Sequence, residues 1–146
     1  MKLRFLAKFT SIFFILAASS ICSFPEPALT EVVKIAPHFQ PDPLILTGQS
    51  GGQNSSNCGN ISKLPNQVLQ LTESMSYLKL RVEGSGQPTL LIDGPGGRFC
   101  VLAESGGKPE MSGFWTKGVY SIYVGELSAG NHTYILSISE QKNSTP

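Results

Sequence analysis

The chain has 146 residues, enough for one domain, with 11 Lys and Arg against 10 Asp and Glu and a formal net charge of +1. No basic cluster or stripe is present, which excludes the electrostatic footprint of a nucleic-acid binder. With two histidines and three cysteines, metal and nucleophilic chemistry have few residues to draw on.

The first predicted element is a leader. "MKLRFLAKFTSIFFILAASSICSF" sets Lys2, Arg4 and Lys8 before an apolar run from Phe9 to Ala18, with Ala17, Ala18, Ser19 and Ser20 as small residues at its end. That order predicts a secretory signal over residues 1–23, cleaved after Ser20 or Ser23. A membrane anchor prefers about 20 apolar residues, and this run is shorter. A lipoprotein needs a small residue before the modified cysteine, whereas Ile21 precedes Cys22. Without the leader, eight basic residues face ten acidic ones, and Cys58 and Cys100 remain. Two cysteines in an exported chain most simply form one disulfide, with the protein periplasmic or extracellular. Closing the loop of about 43 residues between them is worth about 4 kcal/mol in the chain-entropy account.

Residues 24–56 read as a linker. Pro25, Pro27, Pro37, Pro41 and Pro43 break helices, and "TGQSGGQNSSN" has nothing to bury. One island, "PLILTG", is able to form a short strand or dock on the domain.

From Cys58 the pattern alternates with period two. "NQVLQLTE" sets Leu69 and Leu71 against Gln70 and Thr72; "YLKLRVE" sets Leu78, Leu80 and Val82 against Lys79, Arg81 and Glu83. "PTLLID" pairs Leu90 with Ile92, and "RFCVLAE" aligns Phe99, Val101 and Ala103. "VYSIYVG" puts Tyr120, Ile122 and Val124 on one face, and "HTYILSISE" does so with Tyr134, Leu136 and Ile138. Gly-rich turns separate these strands, and no amphipathic helix follows the leader. The expectation is an all-β, antiparallel, jelly-roll-like β-sandwich of about 6–8 short strands over residues 57–141, with a tail at 142–146.

Candidate chemistry is sparse. "LIDGPGGRFC" could cradle a phosphate only if a helix followed its glycines. An alternating strand follows instead, and Pro95 lacks an N–H, so the segment reads as a turn. His132 stands beside a turn with no marked nucleophile; a small hydrolase using His132 is the alternative to a chain without enzyme activity. Asp93, Glu104 and Glu110 flank two turns and are the candidate ligands for calcium, though they are single and scattered. Phe114 and Trp115 could stack on a ligand or pack over the end of the sandwich, and Tyr123 faces away from Tyr120 and Ile122 as an exposed aromatic. Sequons begin at Asn54, Asn60, Asn131 and Asn143, and carry meaning only in a eukaryotic secretory pathway.

The series "CGNI", "YLKLRV", "PTLLIDGPGGRFC", "GFWTKGVYSIYVG" and "HTYILSISE", from about Asn57 to Glu140, resembles bacterial pre-peptidase C-terminal domains, most closely small exported cyanobacterial versions. The resemblance implies a jelly-roll-like sandwich that is not catalytic and stands after secreted peptidases or alone. Some members of that family assist secretion or bind an extracellular polymer such as collagen, and some bind calcium. The calcium-binding members often carry an acidic pair after the strand that follows the turn. Here Leu102, Ala103 and Glu104 supply one carboxylate. The expected role is therefore an exported, monomeric binding or accessory module for an extracellular polysaccharide or protein, with no cofactor and no membrane insertion once the leader is removed. A structural envelope protein held by an uncleaved leader is the remaining alternative.

Overall fold

The computed structural model describes residues 30–103 and 107–143, so the expected leader and Glu104 lie outside it. The described residues form eleven strands and no helix. The first four are β1 (Val32–Ile35), β2 (Leu44–Gln49), β3 (Asn54–Ser56) and β4 (Gly59–Ile61). Then come β5 (Gln67–Leu71), β6 (Met75–Gly84), β7 (Pro88–Gly94) and β8 (Gly97–Val101). The last three are β9 (Glu110–Trp115), β10 (Gly118–Glu126) and β11 (Thr133–Ser139).

Two sheets face each other. In the seven-stranded sheet, β10 pairs with β7 along one edge and with β5, then β4, along the other. Beyond β7 lies β8, beyond β5 lies β1, and β3 completes a hairpin with β4. The four-stranded sheet runs β2-β11-β6-β9. The alternation dictates the core: Leu69, Leu80, Val82, Leu90, Ile122 and Leu136 are fully buried between the sheets. Trp115 joins them as a packing residue.

The expected linker is in part a structural segment. Residues 30–56 supply β1 to the seven-stranded sheet and β2 to the four-stranded one, as the "PLILTG" island allowed. Ile35 is buried in the core, and Val33, Phe39, Leu44 and Leu46 pack against it. The glycines of "QSGGQ" work by close approach: a Cβ on Gly52 would stand 2.2 Å from the carbonyl oxygen of Ile61. Composition signalled flexibility because small residues also serve where two backbones touch. Two further differences stand out. Lys79, expected in solvent, is 7% exposed because β6 lies inside its sheet between β9 and β11. Leu91, which faces away from the sandwich core, is buried in a second cluster with Cys58 and Ile61.

Cys58 and Cys100 are bonded, with Cα atoms 5.6 Å apart. The bond ties the start of β4 to β8 across this second cluster. Replacing both cysteines by serine is expected to cost about 4 kcal/mol in urea unfolding. Ile35→Ala is expected to cost about 3 kcal/mol in the same measurement; a residue in a loose linker would change nothing.

Candidate functional site

The clearest concave apolar surface lies where β8, an edge of one sheet, stands opposite β9, an edge of the other. It is a hollow of about 150 Å3 lined by Ile92, Phe99, Met111, Phe114, Trp115 and Tyr120, with Gly96 and Thr116 at its margin. The turn in "LIDGPGGRFC" builds one wall. Gly94 lies flat on the Tyr120 ring, where a Cβ would come within 2.2 Å of Cδ1. Any larger residue would push the turn off β10.

The floor is fixed. Trp115 is 5% exposed and its Nε1–H donates to the carbonyl of Leu78 at 3.0 Å. Its ring meets that of Tyr120 at 4.9 Å between centroids with planes tilted by 59°. The Tyr120 hydroxyl donates to the carbonyl of Thr116 at 2.7 Å. Burial raises the pKa of this phenol, against a smaller opposing effect of that hydrogen bond. The rim is open: Phe114 is 69% exposed and Phe99 43%. Rigid aromatic floor, exposed aromatic rim and no charged group in the lining together suit an apolar ring or chain from a partner.

Of the three aromatic residues predicted, the hollow brings together Phe114 and Trp115. Tyr123 lies elsewhere, on the outward face of β10, packed against the Cys58, Ile61 and Leu91 cluster. Phe99, Met111 and Tyr120 were not among the predicted ligand residues. Phe99 had read as sharing a face with Val101 and Ala103, but nothing local shows that the facing edge of the other sheet stops short of it.

Asp93 and Glu110 lie in different sheets, and Glu110 approaches Arg81 at 4.0 Å. Among the described residues no three His, Cys, Asp or Glu side chains are grouped to hold a metal ion.

His132 belongs to a polar cluster at the other end of the sandwich. Glu126 is buried there and accepts hydrogen bonds from Ser50 Oγ at 2.9 Å, Ser128 Oγ at 2.6 Å and the Gln87 and Ser128 N–H groups at 2.5 and 3.2 Å. Burial opposes its charge, but the donors of Ser128, Gln87 and Ser50 together outweigh it and hold the carboxyl below its ordinary value of 4.5. His132 Nε2 lies 3.4 Å from Ser128 Oγ and 3.1 Å from the carbonyl oxygen of Ala129. A carbonyl accepts only from a protonated nitrogen, and the Ser128 proton is directed at Glu126. The imidazole is therefore not placed as the base for Ser128, and the cluster fastens three loops together.

No family model matches the sequence. An uncharacterized protein of Synechococcus elongatus is 40% identical over 111 residues, which span 73% of this chain and 79% of that protein. The pre-peptidase C-terminal domain of a Bacillus anthracis collagenase superposes with a TM-score of 0.50 at 15% identity, covering 78% of this chain and all of that domain. The chain belongs to the family of the Synechococcus protein and has the pre-peptidase C-terminal fold. The periplasmic g-type lysozyme inhibitor PliG of Aeromonas hydrophila aligns over 77% of the chain at 15% identity, with a TM-score of 0.40. At this identity the collagenase domain speaks for fold alone, so the site rests on its own geometry.

A depressed folded pKa contributes stability that is complete above the unfolded value and is lost as pH falls through the folded one. Glu126→Gln is thus expected to lower stability at pH 7 by about 2 kcal/mol, with the gap from wild type closing as urea titrations move below pH 4.5.

Proposed function

We propose that the protein is an exported, non-catalytic binding module that holds an extracellular partner in the hollow between β8 and β9. The observation that carries this reading is the open aromatic rim. Burying a phenylalanine side chain gains about 1.5–3 kcal/mol, and Phe114 and Phe99 leave much of that unrealised beside a floor that is already packed. Single exposed apolar residues are ordinary; two phenylalanines and a methionine around one concavity favour recognition. Export is supported by the leader pattern of residues 1–23 together with the disulfide. The non-catalytic part of the reading is supported by Ser128, whose proton is directed at Glu126 and not at His132; the other hydroxyl beside the ring, Ser85 Oγ, stands 3.5 Å from His132 Nδ1 at an exposed position.

A photo-crosslinking phenylalanine analogue placed at position 114 in the producing cell is expected to trap a discrete extracellular partner. The same analogue at Val119, also exposed but on the outward face of β10, is expected to trap none. His132→Ala should leave the trapping unchanged. Equal yields at both positions, or none at either, would overturn the reading.

A further inference from the structure

We propose that Met111 is an oxidation site that switches the hollow: a peroxide converts its thioether to a sulfoxide, and the altered hollow releases its partner. This rests on the binding-module reading and adds regulation to the same site.

The position of Met111 follows from β9. It pairs with Leu80, which is fully buried, so its side chain turns inward and packs against the core. It is nevertheless only half-buried and lines the hollow. The next inward position on β9 is Gly113, opposite Leu78, where a Cβ would meet nothing within 4 Å. Trp115 follows, opposite Met75. The thioether thus stands at an open place in an aromatic lining of Phe99, Phe114, Trp115 and Tyr120. Sulfur is well placed against aromatic rings, so the reduced side chain suits an apolar occupant.

Other oxidisable groups are out of reach. Of the three methionines, Met1 falls in the expected leader and Met75 is 2% exposed. Cys58 and Cys100 are bonded to each other and offer no thiol. Trp115 is buried. Hydrogen peroxide is scarcely larger than water and reaches the hollow through its open rim. Among the described residues, Met111 is therefore the one thioether it meets.

In the reaction the sulfur attacks one peroxide oxygen and the O–O bond breaks. That oxygen stays on sulfur, and its proton joins the departing hydroxide to give water. Sulfur loses two electrons and the peroxide takes them up. The product is a polar side chain in place of an apolar one. No donor of the floor is free to meet the new oxygen: the Trp115 N–H is already given to the carbonyl of Leu78, and the Tyr120 hydroxyl to that of Thr116. The sulfoxide oxygen turns instead to water at the mouth, into the space that a partner's ring would fill. An acceptor left unmet beneath an apolar ring weakens binding by about tenfold.

The test treats the full chain, as secreted by its producing cell, with hydrogen peroxide. Peptide mass mapping is expected to find oxygen added to Met111 about tenfold faster than to Met75, and unfolding in urea should erase that difference. Emission from Trp115, the single tryptophan, is expected to move to longer wavelength as Met111 is oxidised. In the cell, peroxide given before illumination is expected to lower crosslinking at position 114 by about tenfold. Met111→Leu keeps the volume and the apolar character and is expected to retain full crosslinking under the same treatment. That variant separates oxidation of Met111 from oxidation of the partner. Met111→Gln, polar and of similar length, should crosslink without peroxide as weakly as the oxidised protein does.

Equal oxidation of Met75 and Met111 in the folded protein, full crosslinking by protein oxidised at Met111, or equal loss of crosslinking in wild type and Met111→Leu would each overturn the proposal. The binding module survives all three. Absence of crosslinking at position 114 before any peroxide is added removes the binding module and this proposal with it.

Discussion

β10 is the strand on which the seven-stranded sheet is assembled, and its pairing constrains everything around it. Of its nine residues, 121–126 pair with β7 on one side, while on the other 118–122 pair with β5 and Glu126 with β4. Tyr120, Ile122 and Val124 fill the core from its inner face, while Tyr123 anchors the second cluster from its outer face. A strand packed on both faces and paired on both edges has no freedom to slip, since a shift of one residue would exchange its two faces. With β10 fixed, β8 and β1 become the outer strands, and each faces an outer strand of the other sheet.

The inward sets of β5, β6, β7, β10 and β11 were legible in the sequence because alternation is a local property: each apolar residue predicted to point inward on these strands is buried. The disulfide was legible by elimination, two cysteines remaining once the expected leader is set aside. What escaped was whatever depended on a distant partner. β1 is four residues long and acquires its meaning only from pairing in parallel with β5, some 35 positions later in sequence. β9, "EMSGFW", alternates poorly because Gly113 stands where an inward side chain would be, and so it was not among the expected strands. Phe114 and Trp115 were visible as an aromatic pair, but the hollow needed Phe99 from the other sheet. No pattern within either segment shows that the two edges face each other.

The two ends of the sandwich solve different problems. At the Glu126 end, loops leaving β2, β6 and β10 converge, and one carboxylate takes donors from all three. A buried charge is costly unless its oxygens are satisfied, so each donor fixes a loop and lowers that cost together. Burial alone would push the carboxyl up; the net depression means that hydrogen bonding prevails. His132 and Ser128, which in isolation resemble the parts of a hydrolase, are held here by carbonyl and carboxylate acceptors.

At the hollow the same accounting runs the other way. The floor residues have satisfied their polar atoms: Trp115 on Leu78, Tyr120 on Thr116. What is left unsatisfied is apolar area on the rim and backbone hydrogen-bonding capacity along β8. Each deficit alone is common at a sheet edge, where water meets the backbone groups and scattered apolar residues are tolerated. Side by side they favour one complement, a single apolar ring brought by the proposed partner. The chain supplies such a complement itself on the opposite flank, where Phe39 closes the sandwich from the crossover between β1 and β2. That contrast supports the proposed reading of the hollow as a site: the fold covers one opening with its own residues and leaves the other open.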